Sequence, residues 1–472
     1  MATTYDVRIW KMDVYKGKRG NTYYVRWRVA GKPWKESFKS RGLAESFRSD
    51  LISAAGKGEA FDVESGLPVS MRRLNQDMSW YEFACTFVDM QWPRVAATTR
   101  RTHAEALTAV TMALFTTDRG KPDDKLIRSA LCRWGFNTAK RDSPDCPEEV
   151  RRTLRWVATH TRPVSSLVRP EALRSVLDGL TVKLDGGPRA PSVVSRWRKI
   201  LNRAAEYAVE LRLLERNPVP LLKWRAPRTV QVVDRRVVAN PVQARTLLHA
   251  VGEQPGGRRL VAFFGCLYFA FLRPEEAVSL NKRNLSLPPA EWDAERGEWE
   301  FPKGVDGWGQ LHLEMAEPYA GKDWTDTGAN RDRRQLKQRA VGETRPVPSP
   351  PELTVLLLDH LRLFGTAPDG RLFVGERNRR ELPKLTIVRA WQRAREATFT
   401  PEVLASPLAG TPYDLRHAGV STMLNAGVSP TTVAEWAGHS VEVLLRIYAK
   451  CLDGTDVLTR QRVQAALGHR SG

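Results

Sequence analysis

The chain has 472 residues, 42% hydrophobic and 27% charged, an ordinary soluble make-up whose length calls for about three domains instead of one core. Lysines and arginines exceed aspartates and glutamates by 74 − 53 = 21, and arginines outnumber lysines 55 to 19, a surplus that gathers polyanions and points to nucleic acid. Five scattered cysteines with no CxxC pair, no run of about eighteen apolar residues and a start, MATTYDVRIWK, without a signal-peptide core set aside disulfide scaffolds, thiolate metal sites and membrane spans, so a cytoplasmic location is expected.

Residues 1–48 hold twelve Lys/Arg against four Asp/Glu. Within TYYVRWRVAGKPWKESF, Tyr23, Val25, Trp27 and Val29 fall on one face and Tyr24, Arg26 and Arg28 on the other. That alternation predicts a hairpin turning at Ala30-Gly31-Lys32, an earlier strand near Tyr5–Val14, and a following helix, LAESFRSDLISAA. The result is a small three-stranded sheet plus helix with a cationic, aromatic face suited to DNA. Residues 54–77 read as a linker. From Trp80 the pattern turns helical, with WYEFACTFVDMQW and TTRRTHAEALTAVTMALF first. After a polar interruption come PEEVRRTLRWVATH, PEALRSVLDGL and SVVSRWRKILNRAAEYAVELRLL. These are four or five amphipathic helices with arginines on their polar sides. Residues 219–241 form a Pro- and Arg-bearing connector. The remainder mixes helices with a β-rich middle, at WEFPKGVD and around GETRPVPSP, and ends in closely spaced helices.

The stretch Thr411–Lys450 predicts three short helices. Thr411-Pro412 and Ser429-Pro430 each pair an N-cap residue with proline at the first helical position, and Ser440 starts the third. Tyr413 and Arg416, three apart, share a face, while His417 points elsewhere to pack or cap. His439 and Tyr448 are nine residues apart, on opposite faces of any single helix, so they meet only if the last helix begins after the histidine.

FLRPEEAVSL (271–280), YDLRH (413–417) and AGHSVEVLLRIY (437–448) resemble the signature boxes of the tyrosine recombinase, or phage integrase, family. The match covers roughly residues 240–450, and its strength lies in the joint spacing of Arg273 with Glu276, Arg416, Gly438-His439 and Tyr448. The family pattern has histidine where Tyr413 stands, and a phenol is a poor base at neutral pH. The resemblance implies a multidomain α+β chain. Residues 1–65 would be an arm-site DNA-binding domain built as the sheet plus helix. An all-α, SAM-like core-binding domain would span 75–225, and a mostly α catalytic domain with a small sheet 235–472. It also implies a lysine general acid on a β-hairpin. Lys337 is the candidate, with Lys303 and Lys322 in the same interval.

The residue types suit a DNA transesterification. Tyr448 supplies the nucleophile for a covalent phosphotyrosyl link. Arg273 and Arg416 supply permanently charged donors to the non-bridging oxygens. His439 donates a hydrogen bond or moves protons, and Glu276 orients an arginine. No cofactor or metal is called for. The expected function is site-specific recombination for a phage or mobile element. Expected partners are double-stranded DNA at core and arm sites, other copies of the chain up to a tetramer in the synapse, and accessory directionality or DNA-bending proteins at the bacterial nucleoid. The tail 456–467 is expected to dock on a neighbouring protomer. Two alternatives stay open: a non-catalytic helix-turn-helix regulator, suggested by AGVSPTTVAEWAGHSVEVLLRIY, and a type IB topoisomerase-like enzyme.

Overall fold

The computed structural model describes residues 2–17, 20–71, 78–183, 185–228, 232–337, 339, 342–376, 379–448, 460–461, 463–464 and 466–467. Half of the tail expected to dock on a second protomer thus lies outside the described residues. Mixed helix and small sheets divide into two compact units. The first runs from the N-terminus to Pro227 apart from Ala96–Thr99, and the second takes those four residues and everything from Arg228 onward. Among the described residues no helix is long and apolar enough to cross a membrane.

The first unit opens with strands β1 (Thr3–Thr4), β2 (Val7–Ile9), β3 (Asp13–Gly17), β4 (Gly20–Val29) and β5 (Lys32–Phe38). β2 and β3 both pair with the same edge of β4, β5 with the other. The register changes between Ile9↔Trp27 and Asp13↔Tyr24, so partner numbers sum to 36 before the break and 37 after it. The predicted first strand is therefore one strand interrupted by a one-residue bulge. Val29 and Lys32 close the β4–β5 hairpin over Ala30 and Gly31, both at positive φ, which matches the twist of the flanking strands. Val25, Trp27 and Val29 are buried against Ala44, Leu51 and Ala54 of α1 (Arg41–Gly56). Arg26 and Arg28 are exposed on the opposite face, where the Lys35 ammonium lies 3.7 Å from the Tyr24 ring centroid.

The expected linker is shorter than its composition suggested. Phe61 is fully buried in the sheet's own core, Leu67 and Met71 pack against it, and β6 (Phe61–Asp62) pairs with β1. One large apolar side chain with a ready slot suffices to fold back a glycine-rich stretch.

The helical block follows as α2 (Trp80–Gln91), α3 (Ala97–Met112), α4 (Asp124–Ala130), α5 (Glu148–His160), α6 (Pro170–Gly179) and α7 (Pro191–Glu210). Ser79 and Glu82 form a reciprocal capping box at the start of α2. The polar interruption conceals α4, whose N-terminus is capped by Asp123; seven residues are too few for a periodic signal.

In the second unit, α8 (Pro241–Gly252), α9 (Arg258–Phe269) and the one-turn α10 (Pro274–Ala277) lead into the sheets. β7 (Leu285–Ser286) and β13 (Arg345–Ser349) flank β10 (Gly309–Leu313). β8 (Glu291–Asp293) and β9 (Glu298–Glu300) form a separate hairpin, and β11 (Met315–Ala316) pairs with β12 (Arg334–Gln335). Of the expected strand WEFPKGVD only the first two residues belong to β9. After α11 (Pro351–Phe364), α12 (Lys384–Thr398) and α13 (Pro401–Ala405), the chain closes in α14 (Asp414–Asn425), α15 (Pro430–Ala437) and α16 (Val441–Tyr448). The hydrophobic α9 runs through the core beside Trp391 of α12 and Leu415 and Ala418 of α14. α14 starts two residues later than the proline at 412 suggested. The Thr411 backbone N–H and hydroxyl both donate to Asp414 Oδ2, at 2.7 and 3.0 Å.

Candidate active site

The site is built where helices end and begin. Phe271, just past α9, sits at φ 54°, a left-handed conformation costly for a bulky residue and typical of a site fixed by its surroundings. Its carbonyl accepts from Arg416 Nη1. Two residues on, Arg273 precedes α10. Its backbone N–H donates to Glu276 Oε2 at 2.8 Å and its Nη1 to Glu276 Oε1 at 2.7 Å. At the end of α15, Gly438 takes the left-handed conformation, φ 62° and ψ 49°, which glycine adopts at least cost. The turn ends one helix and frees Ser440, whose Oγ accepts from Val443 N–H at 3.2 Å, to start the next. His439 therefore stands in a turn and Tyr448 at the end of a new helix, so the two rings reach each other, with centroids 6.4 Å apart.

Glu276 is 2% exposed and gathers three guanidiniums. Arg345, on β13, donates from Nη1 at 3.1 Å and from Nη2 at 2.7 Å. Arg273 bridges to it at 2.7 Å, and Arg416 Nη1 lies 4.0 Å away. Burial opposes the carboxylate's charge, but Arg345, Arg273 and Arg416 hold its pKa down at about 2. In turn Glu276 outweighs the burial of Arg273 and raises that arginine's pKa.

Arg416 is wholly buried. Besides Phe271, it donates from Nη2 to the Ala437 carbonyl and to His439 Nε2, the latter at 3.0 Å. An arginine can only donate, so His439 Nε2 is the acceptor and the ring's proton sits on Nδ1. That Nδ1, together with Arg345 Nε and Arg416 Nε, is a buried donor with no hydrogen-bond partner among the described residues. Burial and the guanidiniums of Arg416, Arg273 and Arg345 push the His439 pKa down to about 3, so the ring is neutral at physiological pH. Arg273 Nη2 donates to the Gly438 carbonyl at 3.1 Å, tying the first arginine to the histidine turn. Tyr448 is 1% exposed.

Arg273, Arg416, His439 and Tyr448 thus stand in one contact cluster. Tyr413, where α14 starts, lies close enough to Arg273 and Arg416 for its phenol to influence their charge, and its ring meets His417 edge-on at 5.0 Å. Lys337 is exposed, in the turn after β12, and no contact among the described residues joins it to the cluster. Two members were not singled out as site residues from the sequence. Arg345 was visible only as part of a strand. His417, expected to pack or cap away from the site, places Nδ1 2.8 Å from the Tyr448 hydroxyl. Spacing within α14 gave the direction of its Cβ, but not which neighbouring helix would meet it.

Neither a family model nor a curated protein matches the chain. Solved structures do resemble it. One is the Tn1549 transposon integrase in complex with a circular intermediate DNA, 13% identical over 69% of this chain and 96% of that one, TM-score 0.46. A second is a lambda integrase dimer bound to a COC′ core site, 16% identical over 90% and 91%, TM-score 0.43. A third is the XerH site-specific recombinase bound to difH substrate, 11% identical over 82% and 94%, TM-score 0.45. At such scores a functional reading stands on the side chains themselves.

Proposed function

We propose that the chain is a site-specific DNA recombinase of the tyrosine recombinase family, which cuts and rejoins strands through a covalent 3′-phosphotyrosyl intermediate. The observation that carries this reading is the convergence of a phenol, an imidazole and two arginines, drawn from residues 273 to 448, in one cluster organised by a single carboxylate. Arg273, 13% exposed in its side chain, is the guanidinium best placed to meet a phosphate first. Arg416 adds fixed positive charge behind it, and the Nδ1–H of His439, unpartnered among the described residues, is a donor for a non-bridging oxygen. Losing one such donor costs on the order of 10²–10³ in rate. Lys337 is assigned the proton for the departing 5′ oxygen and Tyr413 a supporting place beside the arginines.

The phenol and Arg416 are sealed from solvent here, so this is a resting arrangement that DNA must open. The layout that goes with this reading has the basic sheet of residues 1–65 on arm sites and the helical block on core DNA. The catalytic unit acts as one of four protomers in a synapse. The origin of the chain is assigned to a phage or mobile element.

A direct test is to incubate the protein with fragmented host and element DNA, trap covalent species under denaturing conditions and sequence the attached strand. A nicked duplex carrying the recovered site should then accumulate an adduct, and Tyr448→Phe should abolish it while leaving affinity nearly unchanged. An adduct undiminished in that variant refutes the nucleophile. No adduct with the unaltered protein would leave a non-catalytic DNA-binding regulator, and relaxation of supercoiled DNA without site preference would indicate a topoisomerase.

A further inference from the structure

We infer that His417 is the group that takes the proton from the Tyr448 hydroxyl as the tyrosine attacks. The inference deepens the recombinase reading and rests on it. Its observation is the 2.8 Å contact between His417 Nδ1 and the Tyr448 hydroxyl, reinforced by ring centroids 5.6 Å apart at an interplanar angle of 58°.

Elimination among the neighbours leads to the same atom. Arg273, Arg345 and Arg416 carry donors and no lone pair. His439 is stacked beside the phenol, but its Nε2 lone pair is engaged by Arg416 and its other nitrogen carries a proton. Glu276 is occupied by guanidiniums on both oxygens. Among the described residues, His417 in the tautomer protonated at Nε2 turns its Nδ1 lone pair to the phenol oxygen at 2.8 Å, which is the geometric requirement for a base. Tyr413 meets the same imidazole from one turn earlier, fixing its plane.

Burial, and then the charge of Arg416, hold the His417 pKa down to about 4, which keeps the imidazole neutral, so that one ring nitrogen carries a lone pair. A phosphodiester bound beside Arg416 cancels part of that repulsion. The base therefore strengthens when substrate arrives, and the phenol proton becomes acidic as its oxygen bonds to phosphorus.

In the forward step the Tyr448 Oη–phosphorus bond forms and the phenol proton passes to His417 Nδ1. The bond from phosphorus to the 5′ oxygen breaks, its electron pair leaving with that oxygen, which takes a proton from the lysine acid assigned above. In the reverse step the 5′ hydroxyl attacks phosphorus and loses its proton to the lysine, and the imidazolium returns its proton to Tyr448.

The test uses the full chain and the nicked duplex recovered by covalent trapping, with the unaltered protein as reference. His417→Ala should slow adduct formation on the order of 10²–10³-fold with affinity for the duplex unchanged within about threefold, and added imidazole should recover part of the rate. His417→Asn, which keeps an acceptor near Nδ1 but cannot accept a proton at neutral pH, should stay slow. A duplex whose 5′ bridging oxygen is replaced by sulfur needs no acid for its leaving group. It should restore Lys337→Ala and leave His417→Ala slow. Near-normal rates in His417→Asn, or rescue of His417→Ala by the sulfur substrate, would overturn the assignment while the recombinase reading stands. Failure of the unaltered protein to form any adduct would remove both.

Discussion

Glu276 solvates three guanidiniums that have left water, and Gly438 makes room for one of them. A Cβ on Gly438 would fall on the Arg345 guanidinium, with Cζ only 3.1 Å away, and Arg345 has no freedom to retreat because Glu276 holds both its Nη atoms. The left-handed backbone at Gly438 adds a further penalty of about 1–2 kcal/mol for an L side chain. Gly438→Ala should therefore cost on the order of 2–4 kcal/mol in urea unfolding and loosen His439, whose position depends on that turn. A cost below about 0.5 kcal/mol would mean the turn adapts freely. At this scale the convergence of Arg273, Arg416, His439 and Tyr448 was readable from residue type and joint spacing. It was silent on Arg345, because an arginine at the start of a strand looks the same in sequence whether its head lies in solvent or on a buried carboxylate. Its burial follows from β13 carrying it to α10, across 69 residues of chain.

The element that decides whether the tyrosine is presented is α16. Eight residues make a helix that is marginal alone, so its position comes from packing. Leu444 is fully buried with Tyr448 against Phe271, Val420, Val433 and Ala437, while Glu442 and Leu445 stay exposed. Removing the anchor should unseat the proposed nucleophile, Tyr448, without touching it. Leu444→Ala is expected to cost about 2–5 kcal/mol, visible as faster amide exchange over 441–448 and slower adduct formation, with the salt dependence of DNA binding unchanged. Protection equal to that of the unaltered chain would show that α16 is held by something other than this side chain. The break between α15 and α16 was legible from Gly438 and Ser440, as was the alternation of β4. Less so were α4, too short to show a period, and the fold-back of Phe61, which depends on a slot made by the sheet. The early start assigned to α14 erred because Thr411 and Asp414 form a turn before the helix instead of a cap on it.

For the whole molecule, charge and protonation make separable predictions. His103 in the first unit and His417 and His439 in the second are held neutral, with pKa values near 4, 4 and 3, foremost by burial and then by nearby arginines. Unfolded, each takes up a proton near its ordinary 6.5. Between about pH 6.5 and 4 the unfolded state therefore binds more protons, and stability must fall as pH drops through that window. Glu276, with its pKa depressed, contributes in the other sense: its stabilisation is complete above the unfolded value of 4.5 and lost only as pH approaches about 2. The melting temperature should accordingly be flat above pH 7 and decline from pH 6.5 to 4, before carboxylate loss sets in; a constant melting temperature down to pH 4.5 would contradict the buried, neutral imidazoles. The net charge of +21 acts on binding instead. Affinity for duplex DNA should fall with salt by about 0.9 in log K per phosphate contacted. The exposed Arg28 on the outer face of β4 is available for one such contact, so Arg28→Ala should flatten the slope by about that amount without changing the rate of adduct formation once DNA is saturating. Tyr448→Phe should do the reverse, abolishing the adduct at an unaltered slope. If Arg28→Ala left the slope untouched, the cationic face of the sheet would be solvated surface, and the phosphate contacts would have to come from elsewhere in the chain.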